Sequence, residues 1–404
     1  MSNYIDILSG IASLNLKEVA TYLSRELNES KEELAERLNQ VALISQKEDY
    51  SVERLNAAQF DLSRVPHDMS RVQIEIPEAL EKQGVAVYSI SEAKKAVPER
   101  FSQWEKKYQD KFHTSLDAFH RAFYSQAVVL HIPKNIESDE AICIDQFISG
   151  DAVHYMIILV EENVHLAIDE TLKSQADTVL SAHLNTFIDL GAHSRIDYHG
   201  LDLLAESTTA LIRRWGLVGQ ESNLQWTLAA LNGGHVIEDS HVDLVGNGGE
   251  SDLRIAGIST LSQVQVVNSL VTNIASNTRG FIAQRGVILD SSTLTFNGIG
   301  WVVKGAKWAD CDQESRVLML SDDARGDTNP ILLIDEFEVV AGHAASIGRI
   351  NEEDLFYLMS RGISRKTAET LFIRGFLLSQ ISQSLGHDKT EMWLDEFLRK
   401  LRHI

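Results

Sequence analysis

Proline and cysteine are both scarce in this chain of 404 residues, and each shortage excludes a class of protein. Only five prolines occur, and none lies between Pro133 and Pro330. Proline removes a backbone donor and is rare in central strands, so this proline-free segment favours one large sheet system. The two cysteines, Cys143 and Cys311, are far apart, which argues against a disulfide framework or an all-cysteine metal site. This cysteine usage is typical of a reducing, cytoplasmic compartment.

Positive charge is in short supply as well. The chain has 37 Lys and Arg against 58 Asp and Glu, a net charge of -21. Nucleic acid and anionic membranes both require a cationic face, so we expect neither as a partner. The first twenty residues lack the basic start and apolar core of a signal peptide, and no apolar run approaches membrane-spanning length.

The motifs of several enzyme classes are also missing. The sequence has no Walker A pattern, no G-x-S-x-G elbow, no H-E-x-x-H and no dinucleotide fingerprint. The glycine-rich segment at 246–251 lacks the lysine of a phosphate-binding loop and is better explained as a turn between strands. We therefore expect that the chain does not bind and hydrolyse ATP through a Walker A loop.

Strand-length runs of alternating apolar and polar residues begin at Ala127. Residues 264–277, 280–292 and 294–306 are three of roughly a dozen to fifteen such runs, separated by Gly, Asn, Asp and Ser. Their spacing of about ten residues permits a sandwich, a barrel or a stacked solenoid. The length of the series and its small inward residues favour the solenoid, although no strict repeat is visible.

Helical patterns lie on both sides of these runs. Residues 1 to about 60 have apolar residues at helical spacing, and Ser30 with Glu33 forms a capping-box pattern. Short strands are predicted around Ile74 and Ile76. An aromatic stripe that includes Phe119 then returns to helical spacing and is expected in the core.

The C-terminal segment is predicted to form short helices. Asn351 and Ser364 are placed as N-caps, and Gly362, Gly375 and Gly386 as helix ends. The changes of period then divide the chain into three domains. We predict an N-terminal helical and α+β domain at 1–125, a β-helix core domain at 126–346 and a C-terminal helical domain at 347–404.

Two groups of histidines share the parity of a strand face. His235, Asp239, His241 and Asp243 could place nitrogen and oxygen ligands on one face, but a solvated polar face is the simpler interpretation. His193 and His199 receive the same interpretation. His343 differs, because small residues surround it and leave room for a partner or a ligand.

Four stretches of the C-terminal third resemble the SufB/SufD family, whose members are subunits of the cytoplasmic SUF machinery for iron–sulfur cluster assembly. They are 277–306, 318–324 (LMLSDDA), 330–363 and 368–376 (AETLFIRGF). The most specific part is EEDLFYLMSRGI at 352–363. The resemblance covers roughly residues 260–380 and implies a mainly β fold, a right-handed parallel β-helix between helical ends.

Within the family, the chain is more similar to SufD than to SufB. GHAASIG at 342–348 is closer to the SufD-type SHGATVG than to the SufB-type EHEATTS. SufB members also carry a cysteine used in cluster building, and no cysteine follows Cys311. The resemblance implies a SufB-like subunit as partner of the β-helix and a SufC-like ABC ATPase as partner of the C-terminal helices. Alone, the chain is expected to form homodimers through an open edge near 331–340.

The resemblance also points to site residues. His343 matches the SufD histidine, and imidazole is a competent iron ligand, so it is the candidate for an iron–sulfur cluster held transiently and shared with partner cysteines. Some SufD members have a cysteine two residues earlier, where this chain has Ala341.

The helix at 352–361 is the candidate ATPase-docking element. Phe356 and Tyr357 are predicted on adjacent faces, so that one fills the core while the other meets the partner. The candidate docking residues are Asp354, Phe356, Tyr357, Arg361 and Gly362.

The leading hypothesis is therefore a non-catalytic scaffold of iron–sulfur cluster assembly. Two alternatives remain open at this point. A β-helix enzyme acting on polysaccharide would need clustered carboxylates and usually secretion. A homo-oligomeric adaptor unrelated to clusters would need neither.

Overall fold

A computed structural model describes residues 16–44, 71–112 and 114–401. The helices predicted within 1–15 and 45–60 lie outside the described residues. Six helices precede or accompany the first strands. They are α1 Leu16–Glu26, α2 Lys31–Ile44, α3 Glu78–Lys82, α4 Ile90–Ala96, α5 Pro98–Lys111 and α6 Ser115–Phe123.

The predicted capping box between α1 and α2 is confirmed. The Ser30 backbone N–H donates to Glu33 Oε2 at 2.7 Å, and the Glu33 N–H donates to Ser30 Oγ at 3.3 Å. The two bonds satisfy donors that would otherwise have no partner in the first turn of α2. The predicted strand around Ile74 is also present.

Nineteen strands of the described chain form two sheets. Sheet A contains β1 Arg71–Glu75, β4 Ile136–Glu137, β5 Ile142–Ile148, β7 Val164–Ser174, β9 Arg195–Leu203, β11 Asn223–Ala230, β13 Glu250–Ser259, β15 Arg279–Ile288, β17 Asp310–Met319 and β19 Val340–Gly348. Sheet B contains β2 Ala86–Tyr88, β3 Gln126–Ile132, β6 Ala152–Val160, β8 Leu180–Leu190, β10 Thr208–Val218, β12 Val236–Leu244, β14 Val264–Asn273, β16 Thr293–Val302 and β18 Arg325–Ile334.

From β5 onward, successive strands alternate between the sheets and pair in parallel with the strand two places later. The offset between paired residues varies from coil to coil. Ala210 pairs with Val236, 26 positions on, whereas Thr293 pairs with Arg325, 32 positions on. The result is a β-solenoid of about eight turns, which confirms the predicted β-helix between helical ends. The variable offset explains why no strict repeat is visible in the sequence.

The helical ends pack against the outer faces of the two sheets, and the solenoid lumen holds a separate core. The buried rings of Phe119 and Phe123 in α6 join Phe187 of sheet B in one apolar cluster, so the predicted core position of the aromatic stripe is confirmed. On the other side, Ile381 from the C-terminal helices packs with Ala229 of sheet A.

Two helices follow the last strand, α7 Glu352–Ser360 and α8 Arg365–Lys400. Asn351 and Ser364 accept hydrogen bonds from backbone N–H groups of the first turns, and Gly362 has φ +88°, as predicted. The predicted helix end at Gly375 is wrong, because α8 continues through it. A glycine inside a helix costs only about 1 kcal/mol, less than the burial of its apolar neighbours contributes.

Gly386 interrupts α8 without ending it. Its φ of +70° and ψ of 173° are non-helical, so the chain kinks there and resumes helical geometry. Pro330 lies inside β18, although proline is rare in central strands. It pairs with Gly298 of β16, and no described strand follows β18 in sheet B, so its missing N–H breaks no ladder.

The two ends of the solenoid are finished differently. At the N-terminal end, β1 pairs antiparallel with β5 and β2 pairs antiparallel with β3. At the C-terminal end, β18 and β19 are the last strands of their sheets in the described chain, and most of their side chains are exposed. An open edge is thus present as predicted, but it is formed by β18 and β19, and most of the predicted segment 331–340 is the end of β18 and the turn at 335–339.

The coils stack so closely at Gly234 that we expect any side chain there to destabilise the fold. A Cβ atom there would lie 1.8 Å from the Thr208 carbonyl oxygen, whereas at Gly257 the nearest atom would be 3.8 Å away. We expect Gly234→Ala to lower the free energy of unfolding by about 2–4 kcal/mol, because the obstructing atom is backbone. Gly257→Ala is the matched control and should change it by less than about 1 kcal/mol. Equal midpoints in urea for the two variants would contradict this account of the stacking.

Candidate functional site

His343 is the last residue in a row of paired residues whose side chains face the solenoid lumen. In this row each residue pairs with the next one on the following coil, in the order Trp226, Leu253, Ile282, Gln313 and His343. The first four side chains are buried in the lumen, whereas His343 is exposed. Parallel pairing keeps aligned residues on the same side of the sheet, so His343 is exposed because no described coil covers it. A further coil supplied by a partner would bury it.

The neighbours of His343 on the same side of β19 are small. Ala341 and Ala345 flank it at two residues' distance, and Ala341 pairs with Cys311 of β17. The Cys311 thiol is buried in a small apolar cluster with Val302, and burial raises its pKa to about 11. It stays protonated at neutral pH, as expected for a buried apolar cysteine.

Within the described ranges, no three His, Cys, Asp or Glu side chains are placed to hold a metal ion. His199 is instead structural. Its Nδ1 lies 2.8 Å from Asp169 Oδ1, and its Nε2 lies 3.2 Å from the Ser384 carbonyl oxygen of α8.

The other histidine group does not form a metal site either. Asp243 accepts a hydrogen bond from Trp215 Nε1 at 3.1 Å and pairs with Lys111 Nζ at 3.0 Å. The carboxylate therefore ties α5 to sheet B. The interpretation of these groups as solvated polar faces is wrong for Asp243 and His199, because both side chains are buried against helices.

The exposed face of α7 carries the predicted docking residues. The Phe356 side chain is 72% exposed and that of Tyr357 is 58% exposed. The prediction that one of them fills the core is wrong, because Leu355 takes that position and is buried. Two neighbouring aromatic residues thus face away from the solenoid.

Arg361 belongs to the same face. Its guanidinium lies 5.2 Å from the Tyr357 ring centroid and donates to the Tyr357 hydroxyl at 3.3 Å. Asp354 in the first turn and Gly362 just past the helix are both exposed. All five predicted docking residues are therefore exposed on α7 and at its C-terminal end. No described contact joins any of them to His343.

An ionisable cluster in the lumen was missed in the sequence. Arg214 is fully buried and bonds three carboxylates: Asp202 at 2.6 Å, Glu170 at 3.0 Å and Glu238 at 3.2 Å. Gln146 Nε2 also donates a hydrogen bond to Glu170 Oε1 at 2.8 Å. One positive charge thus faces three acidic groups away from water.

The charge imbalance favours the protonated form of one carboxyl group in this cluster. Burial raises the pKa of Glu238 to about 7 against the attraction of Arg214, and burial also raises the pKa of Asp202. Glu238 Oε1 accepts from Ser240 at 3.1 Å, but its Oε2 has no hydrogen-bond partner among the described residues. A proton on this carboxyl reduces the uncompensated negative charge.

The pattern of the sequence held a signal for this cluster. In β10, Arg214 is two residues from both Ile212 and Gly216, which face the lumen, so it lies on the same side of the strand. In β12, Glu238 lies on the same side as Val242. A charged residue on the inward parity of a long apolar strand predicts a buried ion pair. The partners could not be identified without the coil register.

The chain is similar to known iron–sulfur cluster assembly proteins over much of its length. Residues 146–376 match a family model described as "SUF system FeS cluster assembly, SufBD core domain". The chain is 34% identical over 274 residues to the iron-sulfur cluster assembly protein SufD of Bacillus subtilis, a match that covers 66% of this chain and 62% of that protein. The matched region thus spans less than two thirds of that relative's length.

Two further relatives are more distant but match over more of the chain. An iron-sulfur cluster assembly SufBD family protein of Staphylococcus saprophyticus is 23% identical over 326 residues, covering 80% of this chain and 68% of that protein. A SufBD family protein of Staphylococcus aureus strain USA300 is 21% identical over 378 residues, a match that covers 91% of this chain and 79% of that protein.

No described helix is both long enough and apolar enough to cross a membrane.

The lumen cluster predicts a pH dependence of stability. The pKa of Glu238 is higher in the folded chain than the usual 4.5, so the folded state holds a proton that the unfolded state releases. The free energy of unfolding should therefore fall as pH rises from about 4.5 to about 7, by on the order of 2–3 kcal/mol, and then level off. Glu238→Gln should remove most of this fall, measured by urea unfolding at pH 5 and pH 8. The exposed Glu250→Gln is the control, and an identical pH response in all three proteins would refute the assignment.

Proposed function

The chain belongs to the SufB/SufD family of the SUF iron–sulfur cluster assembly system, and from this membership we propose that it is a non-catalytic scaffold subunit of that system. It is SufD-like in sequence. In the proposed complex, its solenoid pairs with a SufB-like subunit, and its C-terminal helices dock a SufC-like ABC ATPase in the cytoplasm. The ATPase supplies the nucleotide hydrolysis.

The uncovered last coil carries this proposal. Edge strands present unpaired N–H and C=O groups that can pair with a strand of another chain. Ile331 and Leu333 of β18 and Ile347 of β19 also leave large apolar side chains exposed there. A second solenoid placed end to end would continue both sheets and cover this surface. When the partner is missing, a second copy of this chain is the substitute that we expect.

The position of His343 supports a role in handling the cluster as cargo. It is on the inward row of the same coil, so a partner strand pairing with β19 would lie directly beside it. The described residues offer no complete ligand set around it. The remaining ligands are therefore expected from cysteines of the SufB-like partner, and binding is expected to be transient.

The exposed face of α7 supports ATPase docking. Aromatic residues and arginine are the side chains most enriched among interface hot spots. Phe356, Tyr357 and Arg361 supply both kinds on one rigid helix. Co-purification from the native cytoplasm tests the whole assignment, since recovery of neither a SufB-like nor a SufC-like protein would refute it.

Point variants test the docking face more cleanly than removal of residues 347–404. Such a deletion would expose the apolar outer face of sheet A, where Ala229 packs on Ile381. We expect Phe356→Ala combined with Tyr357→Ala to weaken ATPase binding at least about tenfold, because both side chains are exposed in the free chain. Tyr22→Ala on α1 removes a half-exposed tyrosine elsewhere and should leave binding unchanged. Calorimetry with purified ATPase measures both, and unchanged affinity in the double variant would exclude this face.

The cluster role of His343 can be tested in the reconstituted complex. His343→Ala should leave folding and ATPase docking intact, because the side chain is exposed, but should lower the iron and sulfide bound per complex. His193→Ala, which removes a half-exposed histidine on another turn, is the control. Iron and sulfide content and cluster absorbance are the measurements. If His343→Ala matches the unaltered complex in all of them, the residue is only part of the interface.

A further inference from the structure

Phe337 is the most exposed large apolar residue of the described chain. It lies in the turn between β18 and β19, and its side chain is 98% exposed. Val340 at the start of β19 is 69% exposed, and Trp308 in the turn of the preceding coil is 61% exposed. An apolar group this open contributes nothing to the packing of the chain that carries it.

The turn around Phe337 is nevertheless held in place by hydrogen bonds. Glu336 Oε1 accepts from the Phe337 N–H and Glu336 Oε2 accepts from the Gly305 N–H, both at 2.9 Å. These two bonds also hold the pKa of the Glu336 carboxyl below its usual range. The exposed ring is therefore attached to a backbone that is already bonded to the coil below.

Two more backbone bonds fix the flanks of the turn. The Asp335 N–H donates to the Val302 carbonyl oxygen at 2.9 Å, and the Trp308 N–H donates to the Glu338 carbonyl oxygen at 2.6 Å. Trp301 Nε1 also donates to Asp335 Oδ2 at 3.0 Å. A side chain presented from a fixed backbone loses little conformational entropy on binding, which is how interface anchors reach high affinity.

Acidic residues outnumber basic ones around Phe337, although Lys307 pairs with Glu338 at 3.2 Å and both Lys304 and Lys307 act on Glu336. Residues 321–349 contain six Asp and Glu against two Arg, and three of the acidic residues stand in the turn itself. Those three are Asp335, Glu336 and Glu338. Two copies of this chain meeting at their last coils would bring like charges together, which disfavours the pair. A partner with basic residues around an apolar pocket would meet the same surface with opposite charge.

We propose that Phe337 is the anchor of the end-to-end interface, inserting into an apolar pocket with a basic rim on the partner subunit. This inference rests on the proposed pairing with a SufB-like chain and specifies the partner surface that selects it. The acidic turn makes the heteromeric pair more favourable than the homodimer. Electrostatic complementarity at the rim raises the association rate and rejects like-charged partners.

Affinity for the SufB-like chain tests the anchor. Phe337→Ala should weaken binding by about thirtyfold or more, the range of an interface hot spot. Phe147→Ala is the matched control, because it removes a half-exposed phenylalanine from β5 near the capped end. It should change the affinity less than about twofold. Both variants should show the thermal midpoint of the unaltered chain, since neither removed ring is buried.

Salt dependence tests the charge part of the proposal. Raising the salt concentration from 50 mM to 500 mM, about a threefold reduction in Debye length, should weaken the heteromeric pair and strengthen self-association of this chain in sedimentation experiments. If the unaltered chain binds the partner and Phe337→Ala binds equally well, the anchor is refuted and the proposed function stands. If the unaltered chain does not bind it at all, both fail. Salt effects of the same sign on the two kinds of pair would refute the basic rim.

Discussion

The parallel pairing of each strand with one roughly thirty residues later along the chain is the constraint on which the rest of this structure depends. It aligns side chains in rows that run the length of the solenoid. A residue's environment is then set by its row and by how many coils cover it. Trp226 and His343 share a row, yet one is buried and the other exposed, and only their distance from the open end differs.

The same constraint explains what the sequence could predict. Alternation of apolar and polar residues favoured a solenoid between helical ends, and the family resemblance was needed to identify it as a β-helix. The caps at Asn351 and Ser364 were placed correctly because they depend on local chemistry. The coil offset was not predictable, since it varies between 26 and 32 positions. Without it, the row of His343 and the partners of Arg214 could not be assigned.

The errors at the C-terminal helices have one physical cause. Gly375 looks like a helix end and Phe356 looks like a core residue when only local pattern is considered. Packing on the outer face of sheet A decides both, because it buries Leu355 and carries α8 past Gly375. The candidate site at His343 was identified through family resemblance, and residue chemistry alone would have left it among the structural histidines.

The antiparallel strands β1 and β2 at the N-terminal end have a consequence for symmetry. A solenoid with two matching ends could add subunits head to tail without limit and form a filament. Here β1 and β2 reverse the strand direction, so the edges that they leave do not match the parallel edges of β18 and β19. In the proposed complex, pairing through the open end alone would join two solenoids and stop there.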